Sequence, residues 1–148
     1  MSSTRLAFLA LALWCLAFMA ITAIFLLGGG PASFAADSTR IVLGAAAYAF
    51  GLLGQGWLLV RARRPSGTRT PVRDERDEAI ERGASVITVT VILMVTYTFS
   101  LGLWVVYQSA GSVPTGWLWY LAHAAVAFGA IVHSTSQLVL ARRMSGHA

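Results

Sequence analysis

The chain has 148 residues, 57% of them hydrophobic and only 11% charged, against roughly 25% charged in an average soluble protein. Its eleven basic residues are all Arg, and with six acids they give a formal charge of +5. So few charges exclude an ordinary soluble surface. The Arg excess then speaks of orientation in a bilayer, and no direct nucleic acid binding is expected.

The first apolar run, Leu6 to Leu27, carries no charge. At about 1.5 Å per residue its length matches a hydrocarbon core of about 30 Å. Cys15 lies inside it and has no thiol or metal-ligand companion, so a buried small hydrophobe is expected. Gly28, Gly29, Gly30 and Pro31 are expected to stop the helix. Ser33-Phe34-Ala35 loosely resembles a cleavage site, but the run exceeds the usual signal core, and a retained helix is expected.

Pro31 to Arg40 is expected to form a short polar loop. Ile41 to Val60 is the second uncharged span, rich in Gly and Ala. Ala47 with Gly51, and Ala45 with Ala49, are four apart and allow close helix packing, within the chain or in a homodimer. Trp57 reads as an interfacial anchor, with Arg61, Arg63 and Arg64 beyond it at a helix C-terminus.

Residues 61–83 hold twelve of the seventeen charged residues. Arg61 to Arg73 has five Arg and no acid, whereas Asp74 to Arg82 has five acids and two Arg. Thr70 and Pro71 suit the N-cap and first position of a helix. The acids Asp74, Glu75, Asp77 and Glu78 then fall where exposed N–H groups favour them. Gly83 allows a bend. Ile80, Ala84, Ile87 and Val91 share an apolar stripe, and Asp74, Asp77, Glu78 and Glu81 an acidic one. Glu78–Arg82 and Arg73–Asp77 relieve part of its self-repulsion. The remaining acids are expected to face Arg61, Arg63 or Arg64 across the hairpin, or an outside partner. The stripe offers hard oxygen ligands for a cation, which the neighbouring Arg residues disfavour.

The third span is read over residues 84–107, ending in Trp104 and Tyr107. Its Ser and Thr hydroxyls can return to the backbone or bond across helices. A short uncharged loop with Pro114 leads to the fourth span, residues 117–140. Trp117, Trp119 and Tyr120 form its aromatic end, and Arg142 and Arg143 its basic end. The expected fold is therefore an all-α integral membrane protein of the cell membrane. It has four transmembrane helices, spanning about 6–27, 41–60, 84–107 and 117–140, in one domain. Placing both termini with the charged loop puts ten of eleven Arg on one side, which the positive-inside rule makes cytoplasmic.

No phosphate-binding loop, nucleophile elbow or His-Glu-x-x-His motif occurs, so neither a catalytic nor a metal site is read, and a cofactor stays unknown. His123 and His133 are ionisable groups inside a span, where such groups are costly and often functional. Ten residues apart, they lie on different faces about 15 Å apart along the axis. His133 and Gln137 share a face. A structural hydrogen bond is the bland reading of each imidazole, and a proton, haem or substrate role the sharp one.

The stretch Asp74-Glu75-Arg76-Asp77-Glu78-Ala79-Ile80-Glu81-Arg82-Gly83-Ala84-Ser85 resembles the charged segment of a family of small uncharacterised prokaryotic integral membrane proteins. Their motif is D-E-R-[DE]-x-x-I-x-x-x-A-S before a membrane helix. Asp74, Glu75, Arg76, Asp77, Ile80, Ala84 and Ser85 match it, whereas Gly83 departs from the larger residue common there. The resemblance implies a membrane sensor or regulator whose inner loop meets a cytoplasmic protein. Two functions therefore stand at this point. One is a regulatory or interaction module acting through Arg73, Asp74, Glu75, Arg76, Asp77, Glu78 and Glu81. The other is a small transporter, channel or redox subunit using His123, His133 and Gln137.

Overall fold

The computed structural model describes residues 3–27, 29–63 and 75–145. They form four long helices and one short one: α1 (Ser3–Leu26), α2 (Gly30–Phe34), α3 (Ser38–Arg63), α4 (Glu75–Tyr107) and α5 (Thr115–Ser145). The four long helices are long and apolar enough to cross a membrane. Each covers one of the four expected spans, α1 ending at Leu26, and all four begin before the expected start because the polar residues ahead of each span are helical too.

The helices are not arranged in chain order. α1 packs on α3 and α5, and α5 packs on α1 and α4. The sequence of neighbours is thus α3, α1, α5, α4, and α3 shares no packed face with α4. Trp14, Ala17 and Ala127 form the centre, with Phe18, Tyr48, Ala130 and Ile131 against them. Because lipid tails are as apolar as Leu, close backbone approach and hydrogen bonds must hold these helices together. Both occur on α3. A Cβ at Gly51 would lie 2.8 Å from the Trp14 ring, and one at Gly54 would lie 2.6 Å from Leu13. Gly44 abuts Trp119, and Trp14 Nε1 donates to Gln55 Oε1 at 3.3 Å. The packing face of α3 therefore runs through Gly44, Tyr48, Gly51 and Gln55. Ala49 and its stripe instead face outward, so the Ala45–Ala49 spacing is not the one used within the chain.

The expected polar loop after α1 is largely structured. Gly29 and Gly30 take φ of 94° and 80°, a region that only glycine enters without strain. They turn the chain into α2. Phe34 at its end is fully buried, between Phe25 and Trp119, with ring centroids at 5.3 and 4.7 Å. Asp37 then caps α3. Its Oδ1 accepts from the N–H groups of Thr39 and Arg40 at 3.0 and 3.2 Å, and its Oδ2 accepts from Arg40 Nε at 2.8 Å. This is N-cap geometry. The Arg40 guanidinium and these N–H groups hold the Asp37 carboxyl below the usual carboxylate range.

α4 passes through Gly83 as one helix. A Cβ there would lie 3.1 Å from Leu140, so the glycine serves close approach to α5. Of the expected apolar stripe, Ile80 and Ala84 are buried, but Ile87 faces outward. Thr88 stands on the packed side instead. Cys15 is free and half-buried rather than buried. Thr70 and Pro71, the expected helix start, lie outside the described residues.

Candidate functional site

Where α4 passes α5 near its charged end, four polar side chains meet. Glu81 and Thr88 are two turns apart on α4, and His133 and Gln137 one turn apart on α5. Gln137 Nε2 donates to Glu81 Oε2 at 2.6 Å and lies 3.2 Å from His133 Nε2. His133 Nε2 is 3.4 Å from Glu81 Oε1. On the other side of the ring, His133 Nδ1 is 3.4 Å from Thr88 Oγ1, which itself donates to Ala84 O at 2.7 Å.

Donor and acceptor inventories fix the neutral arrangement. Thr88 spends its only proton on the backbone, so it accepts from His133 Nδ1–H. Nε2 is then an acceptor and takes one Gln137 N–H, while the other N–H goes to the Glu81 carboxylate. A second proton on the imidazole breaks this pattern. Nε2–H and the Gln137 amide N–H would both be donors pointing at each other. The ring's natural acceptor becomes Glu81 Oε1, already 3.4 Å away. The cluster therefore has two hydrogen-bond states separated by one proton. Glu81 and His133 are half-buried, with side-chain exposures of 43% and 29%.

One turn beyond Thr88 lies a half-open apolar cavity of about 230 Å³ between α1, α4 and α5. Phe18, Ile92, Phe99, Tyr120 and Phe128 are among its walls. Its far end is closed by aromatic packing. Phe25 stacks on Tyr120 at 4.5 Å, and Tyr120 OH shares a hydrogen bond with Thr22 at 3.1 Å. Trp117 meets Phe99 at 5.5 Å and donates to Tyr107 OH at 3.0 Å. Trp119 and Tyr120, expected at the aromatic end of the fourth span, turn inward and line or seal packed space.

His123 does not join the cluster. Its Nδ1 lies 2.8 Å from Trp119 O, its ring stacks on Trp119 at 4.1 Å, and Tyr48 of α3 meets its edge at 4.8 Å. The two imidazoles belong to different seams, α5–α3 and α5–α4, and share no ligand position. Among the described residues no three His, Cys, Asp or Glu gather as a metal site.

The charged segment is divided. Glu75, Asp77 and Glu78 are exposed on the first turns of α4, and Glu78 pairs with Arg82 at 3.4 Å. Arg76 donates to Ala141 O at 3.2 Å, tying α4 to α5. Arg61 lies over the Trp57 ring at 5.1 Å. Glu81 thus turns to α5, not across the hairpin to α3. Arg142 and Arg143 lie exposed in the last turn of α5. Arg64, Arg73, Asp74 and the side chain of Arg63 lie outside the described residues. Sequence reasoning missed Thr88 as a member of the cluster and the cavity above it. The i,i+4 spacing of His133 and Gln137 carried the only signal, because the α4–α5 register is a long-range property.

Residues 6–144 match the family model described as "Predicted membrane protein (DUF2178)", and the chain belongs to that family. With its four apolar helices it is a multi-pass membrane protein. Comparison with the curated proteins and with the solved structures gives no match.

Proposed function

We propose that this protein is a small proton-coupled transporter, with Glu81, His133, Gln137 and Thr88 as its proton-binding site and the apolar cavity beside them as the place of a small apolar or amphipathic substrate. The observation that carries the reading is the Glu81–Gln137–His133 triangle inside the α4–α5 seam. His133 is an ionisable group inside the fourth span, costly there unless used, and Glu81 meets it from the charged end of α4; such groups mark proton relays and substrate paths. Three further features support it. The site lies toward the charged end of α4, it has two hydrogen-bond states, and it sits one turn from a cavity with apolar walls. The positive-inside rule puts the charged end, and with it both termini, in the cytoplasm.

The test is proton flux in proteoliposomes containing a pH-sensitive dye, driven by an imposed pH gradient. Wild-type protein should collapse the gradient faster than empty vesicles, and Glu81→Gln or His133→Ala should abolish the difference while leaving the fold intact. Equal flux in wild type and both variants would sink the reading.

A second reading keeps the exposed acids Glu75, Asp77 and Glu78 as a docking surface for a basic cytoplasmic protein. What favours it is that these carboxylates point outward at the start of α4, apart from the Glu81 cluster. Charge reversal at Asp77 and Glu78 followed by co-purification would separate the two, since it should leave flux unchanged.

A further inference from the structure

The cavity between α1, α4 and α5 opens sideways. Toward the aromatic end it is sealed by Phe25, Tyr120 and Trp117. Toward the charged end α4 closes on α5 where Ile92 meets Gly129, at which a Cβ would fall 2.5 Å from Ile92 Cδ1. Its side walls do not meet. α1 and α4 each pack on α5 but share no packed face, and no residue of α3 lines the space. Val95 and Thr96 are exposed on the α4 rim of this gap. They lie midway along the span read over residues 84–107, about 17 Å from either end. The mouth therefore faces hydrocarbon near the bilayer midplane, not water.

The walls say what would enter by that route. Aromatic rings from all three helices line them: Phe18, Phe99, Tyr120 and Phe128. Phe18 and Phe128 meet at 6.4 Å with their planes 48° apart, so neither covers the face of the other. No charged side chain lines the cavity, and its polar ones are Thr96 and Tyr120. Tyr120 already shares its hydroxyl with Thr22. A lipid tail gains nothing by transfer, because the bilayer outside is as apolar as the cavity. A cation would find no counter-charge at the midplane, where it is costly. A flat ring does gain, since ring–ring contacts add to simple burial and an acyl chain cannot make them. The volume of about 230 Å³ exceeds the roughly 150 Å³ of an apolar cavity that holds one benzene. We infer that this cavity takes up a neutral, flat aromatic molecule of about two fused rings from within the bilayer. The inference rests on the transport reading in treating the cavity as the place of the substrate, and it adds the class of that substrate and its route of entry.

The probe is a naphthalene bearing a diazirine, added to proteoliposomes and photolysed. Labelling should saturate and map to residues 92–99 and 120–128, which carry the α4 and α5 walls. Excess naphthalene should compete, and hexadecane at the same mole fraction should not. Phe128→Leu keeps the wall apolar but removes one ring. It should weaken binding about two- to tenfold, the weight of one aromatic pair. Phe8→Leu, at a position 63% exposed on α1, should leave binding unchanged. Ala125→Leu should fill the cavity and abolish labelling there, and Phe128→Leu carries the test independently of how that filled variant folds. Three results would overturn the inference. Unsaturable labelling spread over the outer faces means no site, equal competition by hexadecane means a groove for lipid tails, and stronger competition by the N-methylquinolinium cation means a cation site. Because the readout is binding, proton flux without ring binding would overturn this inference alone, and ring binding without flux the transport reading alone.

Discussion

Deleting the Glu81–Gln137 contact should expose a coupling energy that the exposed ion pair of the same helix lacks. The bond is short, 2.6 Å from Gln137 Nε2 to Glu81 Oε2. A hydrogen bond to a charged group contributes about 1.5–3 kcal/mol where water is excluded. The Glu81 side chain is 43% exposed, which lowers that figure by screening. Side-chain bonds between membrane helices average about 0.6 kcal/mol and reach about 1.7. These bounds converge on about 1 kcal/mol. Glu78–Arg82 sets the baseline. Its partners are 3.4 Å apart with side chains 75% and 62% exposed, and such an i,i+4 pair contributes about 0.3–0.5 kcal/mol. The assay is a double-mutant cycle with Glu81→Ala, Gln137→Ala and the double variant, read by reversible unfolding in mixed detergent micelles. A parallel cycle on Glu78 and Arg82 supplies the comparison. A Glu81–Gln137 coupling no larger than the Glu78–Arg82 value would refute the claim that the seam cluster is a real tie between helices.

The other expectations are more local. Gly51→Ala should destabilise by about 1–3 kcal/mol through overpacking, because its Cβ would fall 2.8 Å from the Trp14 ring. Gly56→Ala and Gly102→Ala, where a Cβ meets nothing within 4 Å, should instead gain up to about 1 kcal/mol from helix propensity; unfolding midpoints compare them directly. Trp14→Ala should cost about 3 kcal/mol or more, since the ring is 2% exposed at the centre of the array. Asp37 has a folded-state pKa below its unfolded value, chiefly through its bond with Arg40. Its stabilising effect is therefore present at neutral pH and fades as pH falls from the ordinary carboxylate range through the folded value. Asp37→Asn should flatten that acid limb of the unfolding midpoint while keeping the cap.

The spans and their order were legible because each is a property of consecutive residues. An uncharged run of about twenty residues has few alternatives, and Pro114 and Gly29–Gly30 mark real turns. Faces were legible only in part. The stripe Ile80–Ala84 was correct, yet its continuation went to Thr88 rather than Ile87, since which side of a helix is covered depends on its neighbour. In a membrane that choice cannot be read from hydrophobicity, because both sides are apolar. Neighbour identity was the least legible feature. α3 and α4 are consecutive, so a hairpin pairing of Arg61 with the acids looked natural, but α1 and α5 lie between them. Glu81 consequently faces His133, some fifty residues away in sequence, and no local pattern encodes that register. α2 was missed for a different reason: a single turn beginning with Gly and Pro reads as a loop until Phe34 is seen to be buried.

α4 is held to α5 by polar contacts at one end and aromatic contacts at the other, with Ile92 close against Gly129 and the cavity beside it in between. At the charged end are the Glu81–Gln137–His133 triangle and its buried neighbours Ile80 and Ala84. At the other, Trp117 holds Tyr107 and Phe99. The cavity beside Ile92 and Thr96 lies in the middle. On the proposed transport cycle, releasing one end while the other holds would open the cavity to one side only. Deprotonation of His133 is suited to that release, because the neutral ring turns from Glu81 on α4 to Gln137 on its own helix. The accessibility of a single cysteine placed by Thr96→Cys in the Cys15→Ser background tests this. A membrane-impermeant maleimide should label it several-fold faster from the charged side in the His133→Ala variant. Tyr107→Phe should raise labelling from the opposite side instead. Labelling that is unchanged by both substitutions, or raised from the same side by both, would show that the two attachments do not gate the cavity, and the reading of the seam as a transport path would fall with it.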